Sequence, residues 1–492
     1  MVDADAGIAR LAFDLVEERR RALSPSGRIG LVRRYLKGNH DLPYMPKGAK
    51  AEYRRLAENA ITNWLPLISD TFTKMLFVDG YRPARASDNA RPWEYWQANG
   101  LDSRQSIAHR GALEYGAAYV LVLPSDGPAP LIRPLPPTRT YVLYEDYDDE
   151  WPTYALVFKG TKLDGTELYD LYEGDNVHAV EIATGMDRTE LTRGTGLESG
   201  LREGAVRVAG SFSHGLGRVP LVRFRERMDG ESEGIIRPAI RIQNRINEAV
   251  FSLSIAIQYA SFRQRWATGL AIPVDEEEMR PDGSPNPNHG RPIEPFEAAV
   301  DRLWVTDSPD ARFGEFGQTD VSGHLNTYTA TVRTLAAISQ VSPLVLLGDL
   351  VNLSADALAS VQDTTTRKAS EYETNFGESW EQVLRLAALA AGDVESAQDE
   401  SAQVRWRDSE ARSLAATVDA LGKMAQMLLV PVQELWERIP GVTDQDVERW
   451  KEAASRADGL RALADVLARQ QESALPEALP EAESAPEAAE AD

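Results

Sequence analysis

The chain has 492 residues, 43% of them hydrophobic and 26% charged, which is enough apolar surface for about three folded domains and too much for a wholly disordered chain. The absence of cysteine excludes disulfides and thiolate metal sites, and a net charge of −23 argues against a protein that grips nucleic acid over its whole surface, though not against a duct along which DNA slides. Met1–Arg20 mixes acids and arginines with short apolar runs, and no stretch reaches about 18 apolar residues, so neither a secretory signal nor a membrane span is expected.

Up to about Ala118 the pattern is helical. Across residues 52–77, Leu56, Ala60, Trp64, Leu67, Ile68, Phe72, Met75 and Leu76 fall near helical spacing, and Pro66 is expected to kink or interrupt the run. A second helix over about 103–117 ends near Gly116, before the strand-like run Ala118–Leu123. From 119 to 226, runs such as Tyr154–Phe158, Glu167–Tyr172 and Val219–Phe224 alternate with Gly, Asp and Pro, the pattern of antiparallel strands. The fold class read from these elements is α+β.

Residues 235–266 lack glycine and hold one proline near the start, where a helix tolerates it, which predicts a helix roughly 48 Å long. Ala239, Ile242, Ile246, Ala249, Leu253, Ala256 and Ala260 recur three and four apart as a heptad-like seam. Ile240, Val250 and Ile257 widen the stripe enough for more than one neighbour. Arg237, Arg241 and Arg245 share one face, where they could pair with acids of a neighbouring subunit, meet phosphate, or lie in solvent beside Glu233 and Glu248.

Residues 268–318 lose regularity, with five prolines from Pro281 to Pro295 beside Gly283 and Gly290. Helical spacing returns over 320–339 at Val321, Leu325, Tyr328, Val332, Leu335 and Ile338. Residues 340–352 read as an apolar loop in which Pro343 and Gly348 limit helix on either side; Asn352 or Ser354 then caps a long helix to about Ala391. A strand at Gln403–Arg407 precedes a helical block at about 409–471, opened by Asp408 or Ser409 and divided at Gly441. From Glu472 the chain is Ala, Glu and Pro with seven acidic residues and no basic ones, too poor in apolar surface to fold alone.

No enzyme signature is present: GxxxxGK[ST], GxSxG and HExxH are all missing. His40, His109, His178, His214, His289 and His324 are scattered, which fits hydrogen-bonded or surface residues better than ligands. The acidic runs Glu145–Glu150 and Asp275–Glu278 could hold a divalent cation but lack the spacing of a calcium loop. No cofactor and no metal site is expected. An acidic hydrolase, the distant alternative, would need two carboxylates about 5–10 Å apart.

The order of these parts resembles the portal proteins of tailed double-stranded DNA bacteriophages, in the branch of siphophages infecting actinobacteria, from about residue 25 to 470. Gly217-Arg-Val-Pro-Leu-Val-Arg-Phe224 leads into the Ile235–Trp266 helix, followed by the irregular insertion, a second helix, Val341-Ser-Pro-Leu-Val-Leu-Leu-Gly348 and Asn352-Leu-Ser-Ala-Asp-Ala-Leu358. The resemblance implies a phage portal fold: a wing over 1–234, a stem helix at 235–267, a clip at 268–318 and a second stem helix at 319–339. A tunnel loop at 340–352, a long helix and return strand of the wing at 353–407 and a helical crown at 408–471 would follow, with the acidic tail at 472–492 left over.

The same resemblance implies a ring, a dodecamer without catalysis of its own, assembled in the host cytoplasm and placed at one capsid vertex of the virion. Its partners would be the terminase large subunit on the clip, later head–tail adaptor proteins, the major capsid and scaffolding proteins, and double-stranded DNA passing without sequence specificity. The tunnel-loop residues would be Gln340, Ser342, Pro343, Leu344, Leu346, Leu347 and Asn352. The subunit interface on the stem helix would use Arg237, Arg241, Ile242, Arg245, Ile246, Ala249 and Leu253. Another capsid-associated structural protein with a similar helical core is the alternative.

Overall fold

The computed structural model describes residues 2–45, 47–48, 51–84, 91–183, 206–261, 265–269, parts of 274–292, 310–315, 321–348, 355–407, 414–439 and parts of 442–456. They belong to two compact units, residues 1–404 and 405–492.

The first unit opens with α1 (Val2–Leu23), α2 (Arg28–Leu36), α3 (Ala51–Asn59) and α4 (Leu65–Met75), then β1 (Val78–Arg82), α5 (Arg91–Ala98) and α6 (Leu101–Tyr115). The run over 52–77 is two helices, not one kinked helix, because Pro66 lies in the first turn of α4, where no intrahelical N–H partner is needed. Strand β1 also breaks the helical stretch expected up to Ala118. Gly116 ends α6 at φ +91, and a Cβ there would lie 2.1 Å from the Ser232 carbonyl oxygen, so glycine is the residue that fits.

The strands follow as β2 (Ala117–Leu123), β3 (Leu131–Leu135), β4 (Thr140–Leu143), β5 (Tyr154–Thr161), β6 (Glu167–Glu173), β7 (Asn176–Ile182), β8 (Val206–Ser213) and β9 (Leu221–Arg225). They pair antiparallel in two sheets, ordered β3-β2-β9 and β4-β5-β6-β7-β8. The two-residue period sorts their side chains. Ala155, Val157 and Tyr172 join Tyr119, Leu121, Leu135 and Leu221 between the sheets, whereas Leu156, Tyr169 and Leu171 pack with Ala12, Leu15 and Val16 of α1.

The remaining elements are α7 (Ile236–Ser261), β10 (Arg265–Thr268), β11 (Arg312–Glu315), α8 (Ser322–Ser339), α9 (Pro343–Leu347), α10 (Ala355–Ala390), α11 (Val394–Ala397) and β12 (Gln403–Trp406), which pairs with β1. Helix α7 stops at Ser261, short of the expected 266, and the chain is already extended at Arg265 because β10 pairs antiparallel with β11. Helix α10 buries Ala369, Tyr372, Phe376, Trp380, Val383 and Ala387 three and four apart. Its aromatic rings meet Phe72, Trp96 and Phe224 at centroid distances of 5.4, 4.7 and 4.8 Å, forming the core beneath β9.

The second unit contains α12 (Leu414–Leu428) and α13 (Val432–Leu435), which runs into a single tight turn at Trp436–Arg438. Trp436 meets Trp450 edge to face at 6.0 Å. Asp408, Ser409, Gly441 and the tail from Glu472 lie outside the described residues.

Candidate functional site

Helix α7 grows out of the end of β9 through one buried carboxylate. Glu226 accepts hydrogen bonds from the Ser232 hydroxyl and the Gly234 N–H, both at 2.9 Å, and so closes the turn that leads into the helix. Burial pushes its carboxyl pKa up.

One face of α7 then buries a polar pair: Gln243 is 0% exposed and Asn247 1%. Gln243 Nε2 donates to the Thr62 carbonyl at 2.6 Å and to Asn247 Oδ1 at 2.9 Å, while the Trp64 N–H donates to Gln243 Oε1 at 3.0 Å. The Thr62 N–H reaches Asn247 Oδ1 at 3.3 Å. Asn247 Nδ2 lies 2.9 Å from His40 Nδ1, whose Nε2 lies 2.9 Å from the Tyr35 carbonyl oxygen. A donor on Asn247 requires His40 to be the Nε2–H tautomer, and burial lowers its pKa in keeping with a neutral ring. Three backbone groups of the non-helical segment between α3 and α4, the Thr62 N–H and C=O and the Trp64 N–H, are thus satisfied by side chains of α7.

This pair displaces the expected seam. The buried stripe of α7 is Ile236, Ala239, Ile240, Gln243, Ile246, Asn247 and Phe251. Of the heptad-like positions, Ala239 and Ile246 are buried, but Ile242, Ala249, Leu253 and Ala256 are only half-buried, and the side chain of Ala260 lies outside the described residues. Arg237 pairs with its local acid Glu233 at 3.3 Å. Arg241 and Arg245 are exposed and form no ion pair among the described residues, and Glu248 accepts the Tyr44 N–H at 3.3 Å.

Helix α8 packs against α7 and buries Val332, Leu335 and Ala336, leaving Leu325 and Ile338 half exposed at 53% and 52%. It ends at Gln340, a non-glycine residue in the left-handed region at φ 54. The apolar stretch read as a loop then forms the one-turn helix α9. Ser342 caps it, its hydroxyl accepting the Leu344 N–H at 3.3 Å, Pro343 occupies the first turn, and Gly348 at φ 70 ends it. Thr365 of α10 clamps the turn: its hydroxyl accepts the Ser342 N–H and donates to the Gln340 carbonyl, each at 3.1 Å. Ser342 and Leu346 are consequently buried at 3%, Leu344 and Leu347 are half-buried, and Pro343 and Val345 face outward. Asn352 and Ser354 lie outside the described residues.

The acidic run at 145–150 is strapped down through its backbone. Arg223 donates to the carbonyls of Tyr147 and Asp149 at 3.0 and 3.1 Å and stacks over Tyr144 at 4.0 Å. Among the described residues no group of three or more His, Asp or Glu side chains is placed to hold a metal ion. His40, His109, His178 and His214 are buried in hydrogen-bonded positions. Sequence reasoning missed Gln243, Asn247 and Thr365, although a glutamine and an asparagine four apart inside an apolar helix were a legible signal.

A family model described as phage portal protein, SPP1 Gp6-like, matches residues 26–460. The portal protein of Mycobacterium phage D29 is 25% identical over 375 residues, covering 73% of this chain and 71% of its own. The portal protein of Mycobacterium phage L5 is 24% identical over 375 residues with the same coverage. Among solved structures, the neck of a native GTA particle computed with C12 symmetry aligns over 84% of this chain and 97% of its own, at 12% identity and a TM-score of 0.42.

Proposed function

From the premise that the chain belongs to the phage portal protein family, SPP1 Gp6-like, we propose that it works as a closed homo-oligomeric ring, a dodecamer, at one vertex of the capsid. A portal protein forms the channel by which viral DNA enters and leaves the capsid and carries the packaging motor and head–tail connector. In this reading α7 and α8 lie in the stem, 268–318 is the clip, 340–352 the tunnel loop and 408–471 the crown. The role is structural. The terminase large subunit docks on the clip and supplies the energy, head–tail adaptors replace it, and capsid and scaffolding proteins meet the outer ring during assembly in the host cytoplasm.

The observation that supports a ring is the half-buried apolar stripe Ile242, Ala249, Leu253 of α7, on a 26-residue helix whose other face is already packed within its own chain. A neighbouring copy on that stripe removes it from water. The outward Pro343 and Val345 of α9 offer DNA phosphates no ion pair, as suits a surface past which the duplex slides. Electron microscopy of the purified protein should show rings with a central hole. A chain that stays monomeric at high concentration, even co-expressed with capsid proteins, counts against the reading.

A further inference from the structure

The distribution of charge says how one subunit recognises the next, an inference that rests on the ring reading. Residues 28–60 hold eight basic and three acidic side chains and α7 three and one, a net of +7 within a chain of −23, so the rest of the chain sums to −30. These basic segments wrap one stretch of α7. The Tyr35 hydroxyl lies 3.0 Å from Asn244 Oδ1, the Tyr44 N–H reaches Glu248, and Ala57 and Ala60 of the α3 region pack with Phe251. On these packed segments Arg33 and Lys37, Arg54 and Arg55, and Arg241 and Arg245 are exposed and form no ion pair among the described residues.

Like charges gathered in one place repel, and an anionic partner relieves the repulsion. We propose that this basic patch docks the acidic surface of the next copy of the chain. A ring closes through a heterologous contact, in which two different surfaces complement each other, and a chain basic here and acidic elsewhere carries such a pair. The surroundings favour protein over nucleic acid as the occupant. Half-buried Ile242 and exposed Leu42 and Tyr44, at 40% and 80%, lie on the same packed segments as the cations, and supply apolar contact area beside charge.

The full chain tests this by light scattering against concentration at about 50 and about 500 mM sodium chloride, where screening shortens the reach of charge. Fluorescence anisotropy with a labelled DNA duplex runs in parallel. Wild type should assemble, with a midpoint concentration that rises with salt. Arg241→Glu with Arg245→Glu, and separately Arg33→Glu with Lys37→Glu, should raise that midpoint about tenfold or more while leaving the thermal unfolding midpoint unmoved at concentrations below assembly. Arg241→Gln with Arg245→Gln should raise it less, and carries the test if a Glu pair fails to fold. Variants that fold and assemble like wild type, with the same salt response, overturn the proposal. So do variants that assemble normally but lose duplex binding, since nucleic acid is then the occupant. A ring indifferent to these charges removes the patch and leaves the ring standing; a wild type monomeric in every condition removes the ring and the patch with it.

Discussion

Trp380 donates its indole N–H to Nε2 of His109 at 2.8 Å, and both rings are fully buried. Burial brings the His109 pKa down to about 3 from the ordinary 6.5, so the folded protein keeps the ring neutral while the unfolded chain can protonate it. The contribution is full above about pH 6.5 and declines as the pH falls toward about 3, by at most about 1.4 kcal/mol per pH unit. Urea unfolding at about pH 7 and about pH 5 should show this loss in wild type and less of it in His109→Gln, whose amide oxygen can still accept from Trp380. Equal pH slopes for the two proteins would place the acid sensitivity elsewhere.

Replacing the fully buried Gln243 by Leu removes the acceptor of the Trp64 N–H and the donor to the Thr62 carbonyl, both groups of half-buried residues. Two stranded backbone groups should cost about 2–4 kcal/mol, far more than the gain in apolar character returns. Thermal unfolding reads the change directly. A variant as stable as wild type means that water reaches the segment between α3 and α4.

The α9 turn separates two substitutions that look alike in sequence. Ser342→Lys should destabilise, since it deletes the cap, worth about 1 kcal/mol, and forces a charge into a buried position. Val345→Lys, at a position 40% exposed, should leave folding intact. In assembled particles a ring of lysines at 345 should slow DNA packaging by adding phosphate contacts. Wild-type packaging and retention in that variant would show that this turn does not face the DNA.

Substituting 279–295 with a short Gly-Ser linker should preserve the ring and abolish terminase binding, because an irregular insertion contributes little to the core. Ring formation by light scattering and terminase binding by pull-down read the two effects separately. A linker variant that binds terminase as well as wild type would falsify the assignment of this segment as the docking face.

The sheets were legible because period-two alternation in β5 and β6 reports directly which residue meets which layer. The long helices were legible for the same reason at a period of 3.6. The α7 seam was not, because counting apolar residues treats Gln243 and Asn247 as solvent-facing when the backbone of a distant segment makes them buried. At 343–348 Pro343 and Gly348 were read as helix breakers, yet a proline after a capping serine and a glycine in the left-handed region are also how a one-turn helix starts and stops. Local residues fitted both, and Thr365 of α10 decided between them.

The pairing of Thr268 with Arg312 at the end of the β10–β11 ribbon closes a loop of 43 intervening residues. Closing such a loop carries an entropy cost that grows only logarithmically with length, about 0.6 kcal/mol for each doubling. Insertions and deletions beyond the ribbon are therefore thermodynamically inexpensive, while a one-residue slip within it would reverse which face each paired side chain presents. The four paired residues on each side of the ribbon can thus keep their register while the length of chain beyond them changes.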